Sequence, residues 1–156
     1  MYATGVTPVG PVVLTRGPGA RSCPEAAADG WEDWTLALRG EPRLRIQGLG
    51  APGHLSRKLL ARGLDGVWDG EECRVRVASS LARSRRSASV ERASVRVAFR
   101  PAGLRTQVVQ GDEPQGSRSG GRWDLSAPTD TVVLGVCLFE WAEMDHFLRT
   151  PGLRQL

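Results

Sequence analysis

The sequence predicts a mainly β domain that ends in one helix, and two observations support this fold class. Short segments in which apolar and polar residues alternate recur as far as Leu125, and alternation is typical of half-buried strands. A single apolar stretch over 129–149 then departs from this alternation and shows a helical pattern. We therefore expect an α+β fold in which an antiparallel barrel or a strongly curved sheet encloses a hydrophobic C-terminal helix, all within one domain over 1–156.

The strands are predicted where Val, Leu, Trp or Phe alternates with polar residues and Gly or Pro follows. The candidate segments are 12–14, 34–38, 44–46, 73–77, 95–99, 104–109 and 123–125. A short helix is possible at 54–62, and 63–72 is predicted as a Gly-rich acidic loop. Two further segments, 81–92 and 110–122, are basic or rich in Gly and Ser, so we expect exposed, flexible loops there.

The predicted C-terminal helix is unusual because Val132 to Phe139 is apolar on every side. A helix with no polar face is one that other parts of the protein surround. Thr129 is a suitable N-cap, Asp130 suits the positive end of the helix dipole, and Pro151 ends the helix. The run of valines also favours a strand locally, so the helix prediction is firmer in its second half.

Composition limits the classes of function. The three cysteines are widely spaced and include no CxxC pair, which favours free thiols over a zinc site or a disulfide framework. Gly and Pro interrupt the N-terminal residues, and the longest apolar run, 131–139, is far shorter than the roughly 18 residues of a membrane span. We therefore expect a cytoplasmic protein with no transmembrane segment.

No motif in the chain predicts catalysis, a metal or a cofactor. The segment 48–53 fits G-x-G-x-x-G, but Pro52 removes a backbone donor that a phosphate would need, and no acidic residue ends the next strand. The acidic residues of 65–72 lack calcium-loop spacing. His54 and His146, the two histidines, have neither a metal-binding spacing nor a nucleophile motif beside them.

Arginine supplies the most extended pattern. The net charge is +4 and Lys58 is the single lysine. Strand alternation places arginines on one polar sheet face, with a basic tract beside it, and such a surface can bind phosphates. The candidate anion-binding residues are Arg43, Arg45, Arg74, Arg76, Arg83, Arg85, Arg86, Arg96 and Arg100. Solvation of an outer face and the codon usage of a GC-rich genome are the alternative explanations.

The end of the chain resembles the LURP-one-related proteins, which share the tubby C-terminal and scramblase type of fold. The resemblance lies in Arg122-Trp123-Asp124-Leu125, in Asp130 and in the apolar run 131–147. It implies a closed antiparallel barrel of about a dozen strands threaded by a C-terminal helix, with a binding or regulatory function. Only seven to nine strands are evident here, and none of the family's ligand-binding motifs can be matched.

Three functions therefore remain open. The first is a non-catalytic module that binds a lipid headgroup, nucleic acid or acidic protein through its arginines. The second is a helix-grip protein of the START or cyclase type, a small-molecule binder or enzyme in which Glu140, Trp141 and Met144 line a ligand pocket. The third is a subunit of a larger assembly, which the five tryptophans favour.

Overall fold

The computed structural model describes residues 3–18, 32–50 and 57–149. Eleven strands are found there: β1 (Ala3–Thr7), β2 (Gly10–Pro18), β3 (Glu32–Leu38), β4 (Glu41–Ile46), β5 (Leu64–Trp68), β6 (Glu71–Ala78), β7 (Ser87–Arg92), β8 (Val95–Ala102), β9 (Arg105–Gln110), β10 (Glu113–Ser119) and β11 (Arg122–Leu125). The helices are α1 (Arg57–Arg62), α2 (Asp130–Trp141) and α3 (Asp145–Arg149), with a 3₁₀ turn at Arg83–Arg85. The prediction of a mainly β fold is confirmed.

All eleven strands form one antiparallel sheet in which spatial order equals chain order. Of the two predicted alternatives, the barrel is wrong, because β1 pairs with β2 and β11 with β10 but the two end strands do not pair with each other. The helix α2 bridges them instead. A methyl group added at Gly5 of β1 would lie 3.3 Å from the Trp141 ring, and Trp123 of β11 donates to Glu140 over 2.8 Å. The sheet must therefore curve around α2.

The core is one cluster of apolar side chains between the inner sheet face and α2. Every residue of the helix from Val132 to Phe139 is buried, as the apolar pattern predicts. Gly135 faces the sheet where a methyl group would lie 3.0 Å from Val97, so the absent side chain lets α2 approach β8 closely. Phe139 stacks on Phe99 with ring centroids 4.3 Å apart.

The prediction of a single helix over 129–149 is wrong in its second half. The chain leaves the helix after Trp141 and begins α3 at Asp145. The amide of Glu143 donates to the Glu140 carbonyl, and that of Met144 donates to Phe139, which is the Schellman pattern of a helix C-terminus. Glu143 accordingly has a φ of 55°, a conformation in which glycine is the usual residue. Because glutamate stands here instead, the sequence contains no glycine signal for the end of the helix.

Replacing Glu143 by glycine is expected to stabilise the protein by about 1 kcal/mol, since a left-handed conformation costs a side-chain-bearing residue about that much. The Glu143 side chain is exposed and forms no ion pair with a described residue. Urea unfolding followed by circular dichroism measures the gain. Glu143→Ala is the control, because it removes the same carboxylate but keeps the Cβ atom. An equal gain in both variants would show that charge, and not backbone conformation, is responsible.

Three segments predicted as loops contain strands. The segment 63–72 contains β5. Its inward residue Gly66 has no room for a side chain, since an added Cβ would lie 2.2 Å from the Arg45 carbonyl oxygen. The segment 81–92 contains β7, with Ala88 and Val90 buried. The segment 110–122 contains β10, which pairs on both sides although it has no buried hydrophobic side chain.

No helix among the described residues combines the length and apolar character that crossing a bilayer requires.

Candidate anion-binding surface

The antiparallel order divides the strand connections between two ends of the sheet. The turns that follow β1, β3, β5, β7 and β9 lie at one end, where α2 begins. The connections that follow β6, β8 and β10 lie at the other end, where α2 finishes and α3 lies. We call these the acidic end and the basic end, because carboxylates outnumber arginines at the first and arginines outnumber carboxylates at the second.

The acidic end has carboxylates in three turns and at the start of α2. They are Glu41, Asp69, Glu71, Glu72, Asp112, Glu113 and Asp130. Three of them contact arginines, and Glu71 is one of these because it lies 4.0 Å from Arg92. Arg39 donates to Asp130 over 2.9 Å, while Arg43 reaches both Asp130, at 3.2 Å, and Asp69. The bidentate hydrogen bonds from Arg43 lower the pKa of Asp69, and those from Arg39 and Arg43 lower that of Asp130.

This arrangement fixes the start of α2 to two turns of the sheet. Asp130 stands at the first helical position, where its charge also complements the helix dipole, and Thr129 caps the helix by accepting from the Val132 amide. Arg43 and Asp69 therefore have a structural part: they hold the helix at one end of the curved sheet.

The predicted arginine face exists, but acidic residues on neighbouring strands neutralise much of it. Arg45 pairs with Asp33 at 3.3 Å, Arg74 with Asp65 at 3.4 Å and Arg96 with Glu91 at 3.6 Å. Arg100 donates to the Gln107 side chain over 3.0 Å. Of the six face arginines, Arg76 alone is exposed without a partner among the described residues. The face is thus a cross-strand lattice of opposite charges.

The basic end offers arginines that have no acidic partner among the described residues. Arg83 and Arg85 lie on the connection before β7, Arg105 begins β9, and Arg122 begins β11. All four are exposed. The connection 79–86 contains three arginines and no acidic residue. The basic tract in the sequence indicated the first two, whereas Arg105 and Arg122 were missed because each is a single arginine directly after a turn, outside both the tract and the alternating face.

Arg86 was grouped with the candidate anion ligands, but it is 4 % exposed. Its guanidinium donates to the carbonyls of Ser80 and Leu81 at 2.7 and 3.0 Å, and to those of Leu148 and Arg149 at 3.1 and 3.0 Å. Arg86 therefore joins the connection before β7 to the end of α3. Because its guanidinium is buried and bonded to these four carbonyls, Arg86 is not available to bind a ligand.

Two of the acids at the basic end are held by other arginines, whereas Asp124 and Glu143 are exposed and form no ion pair with a described residue. Glu140 contacts Arg118 at 2.5 Å, and Asp145 contacts Arg149 at 2.6 Å. Asp145 also accepts a hydrogen bond from Thr106. These contacts join β9, β10 and α3, and they leave the four exposed arginines without neutralising partners.

Two surface pockets of about 380 Å³ lie at the basic end. One has Arg83, Leu104, Arg118, Asp145 and Arg149 in its wall. Arg105, Arg122, Trp123 and Asp124 border the other. A third, of about 580 Å³, lies on the sheet face beside Arg74, Cys73 and Glu91.

The pocket residues predicted for a helix-grip protein do not line any of these three pockets. Met144 is buried in the core, Glu140 is held by Arg118 and Trp123, and Trp141 lies against Gly5. Burial raises the pKa of the Cys137 thiol to about 12 and that of Cys73 to about 11, so both are protonated and poorly nucleophilic. Of the sequence features weighed for chemistry, 51–56 with His54, and Cys23, lie outside the described residues.

Comparison with family models, curated proteins and solved structures yields no match to this chain.

Proposed function

We propose that the protein is a non-catalytic binding module whose basic end takes a polyanionic partner. One observation carries the proposal: Arg83, Arg85, Arg105 and Arg122 are exposed at one end of the sheet and have no acidic partner among the described residues. Arginine binds phosphate oxygens through its planar fork of donors. Several such groups on one surface raise the local concentration of an anion and orient it.

The separation of charge within the molecule supports the same function. Three arginines of the sheet face, Arg45, Arg74 and Arg96, have acids opposite them, and the acidic end carries an excess of carboxylates. An anionic partner is therefore repelled from one end and attracted to the other, which selects a single orientation. We therefore propose that the anion binds at the basic end, and not on the arginine face that the sequence pattern suggested.

Core packing favours a module over a ligand-enclosing enzyme. The side chains from Val132 to Phe139 are buried against the inner sheet face, in the place where a helix-grip protein has its cavity. Small-molecule sites are concave and largely apolar with a few polar groups. At the basic end, arginines instead outnumber carboxylates around both pockets, which suits a polyanion better than an apolar small molecule.

The test compares two triple variants that remove equal charge. Arg83→Ala with Arg105→Ala and Arg122→Ala removes three of the four exposed arginines at the basic end. Arg45→Ala with Arg74→Ala and Arg96→Ala removes the three arginines of the face that are paired with acids. Affinity for a short DNA duplex and for vesicles of phosphatidylcholine with phosphatidylserine is measured across a salt series. We expect wild-type binding that weakens with salt. The basic-end variant should lose about tenfold or more, because each arginine near an anionic surface contributes about 1 kcal/mol.

The face variant is the control, and we expect it to lose less than about threefold, since its arginines are already neutralised. Equal losses in both variants would show that net charge alone governs binding and would contradict the proposal. Binding that ignores salt, or no binding to either probe, would contradict it as well.

A further inference from the structure

We infer that the partner of the basic end is the surface of an anionic lipid bilayer, with Leu81 and Leu104 as apolar anchors. The inference rests on the function proposed above and names its partner. Leu104 is 98 % exposed and Leu81 is 70 % exposed. Single exposed apolar residues are common on protein surfaces, so exposure alone does not indicate an anchor. Anchoring is supported because both leucines lie beside exposed arginines.

Leu104 stands at the tip of the hairpin between β8 and β9. The turn is only two residues long, Gly103 and Leu104, and Gly103 has a φ of 62°. Leu104 is therefore pushed beyond the ends of both strands on a short, hydrogen-bonded support. Arg105 follows it directly. An apolar tip with a cation at its base matches the order of a bilayer, where acyl chains lie beneath phosphates.

Leu81 lies on the connection before β7, and its backbone is held in place although its side chain is exposed. Arg86 donates to the Leu81 carbonyl at 3.0 Å and to the Ser80 carbonyl at 2.7 Å. Leu81 is followed by Arg83 and Arg85, so it repeats the pattern of a leucine beside exposed arginines. Because its backbone is already fixed, little ordering is needed when the side chain enters an apolar phase.

The two leucines lie at the same end of the sheet and border one basic region. The 3₁₀ turn Arg83–Arg85 packs against β8, and Arg83 and Leu104 line the same pocket. Two apolar anchors among four exposed arginines give the two signals that stable membrane attachment requires: acyl contact and electrostatic attraction to acidic headgroups. Duplex DNA would use the arginines but offers the leucines no comparable apolar phase.

The experiment uses a leucine variant and a matched apolar control. Leu81→Ser with Leu104→Ser removes the anchors, and Val6→Ser with Val67→Ser removes two other exposed apolar side chains, which are 97 % and 41 % exposed. Each protein is measured against phosphatidylcholine–phosphatidylserine vesicles and against a short DNA duplex. Thermal unfolding of each variant confirms that it remains folded.

We expect the leucine variant to bind vesicles about tenfold more weakly or worse, because buried methylene groups are lost. Its affinity for DNA and the vesicle affinity of the valine control should stay within about twofold of wild type, since neither change alters the arginines. Unchanged vesicle affinity in the leucine variant would overturn the anchoring inference and leave the proposed function intact. Wild-type protein that binds DNA but not vesicles would do the same, whereas failure to bind either probe would contradict the proposed function itself.

Discussion

Replacing Phe139 by alanine is expected to lower the free energy of unfolding by about 3 to 5 kcal/mol, the usual cost of truncating a buried aromatic residue. Phe139 is 1 % exposed. Its ring stacks on Phe99 of β8 and meets Trp123 of β11 edge-on at 6.0 Å. The substitution therefore loosens the helix from an interior strand and from the last strand of the sheet at once. Urea unfolding, with the midpoint and slope fitted separately, measures the change.

Leu104→Ala is the control for Phe139→Ala. Because Leu104 is 98 % exposed, its truncation should change stability by less than about 0.5 kcal/mol. A loss below about 1 kcal/mol at Phe139 would show that this end of α2 is not tightly enclosed. The sheet would then not curve around the helix at this end.

Arg86→Met should cost about 3 kcal/mol of stability. Methionine keeps much of the aliphatic volume but cannot donate, so four carbonyls that Arg86 satisfies lose a charged partner. Because two of these carbonyls lie at the end of α3, that helix should loosen first. Hydrogen exchange at the amides of Phe147 and Leu148 reports this local effect, and urea unfolding reports the total.

Its neighbour provides a matched control. Arg85 is exposed and has no partner among the described residues, so Arg85→Met should change stability by less than about 0.5 kcal/mol. If both substitutions had equal effects, the charge of the basic tract, and not the hydrogen bonds of Arg86, would govern stability.

Strands in which large apolar residues fill successive inward positions were predictable from the sequence, whereas β5, where a glycine stands beside the inward Trp68, and β10 were not. Trp34, Leu36 and Leu38 mark β3, and Val97 and Phe99 mark β8, because alternation is visible when inward residues are apolar and large. In β5 and β10, Gly66 and Gly116 occupy positions where an added Cβ would lie 2.2 Å from a neighbouring carbonyl. Close approach of the two backbones requires glycine at these positions. The same glycine interrupts the apolar alternation from which a strand is predicted.

The candidate site was predictable only in part, because the availability of an arginine depends on strand register. Arg74 faces Asp65 across one strand pair, and Arg96 faces Glu91 across another. Such partners become visible only when the strands are aligned. Leu104 was placed in the strand predicted over 104–109, but β9 begins at Arg105. The preceding Pro-Ala-Gly was the signal that extends the turn to Leu104, where an apolar side chain has little to pack against.

The sheet is assembled entirely from contacts between successive strands, yet its core is completed by the helix that follows all of them. During synthesis, hairpins can close one after another over short loops, which are the fastest to form. Their inner faces nevertheless stay exposed to water until residues 130–148 emerge. Cooperative folding is thus postponed until residues 130–148 have been synthesised, and the nascent chain carries its largest aggregation hazard just before that point.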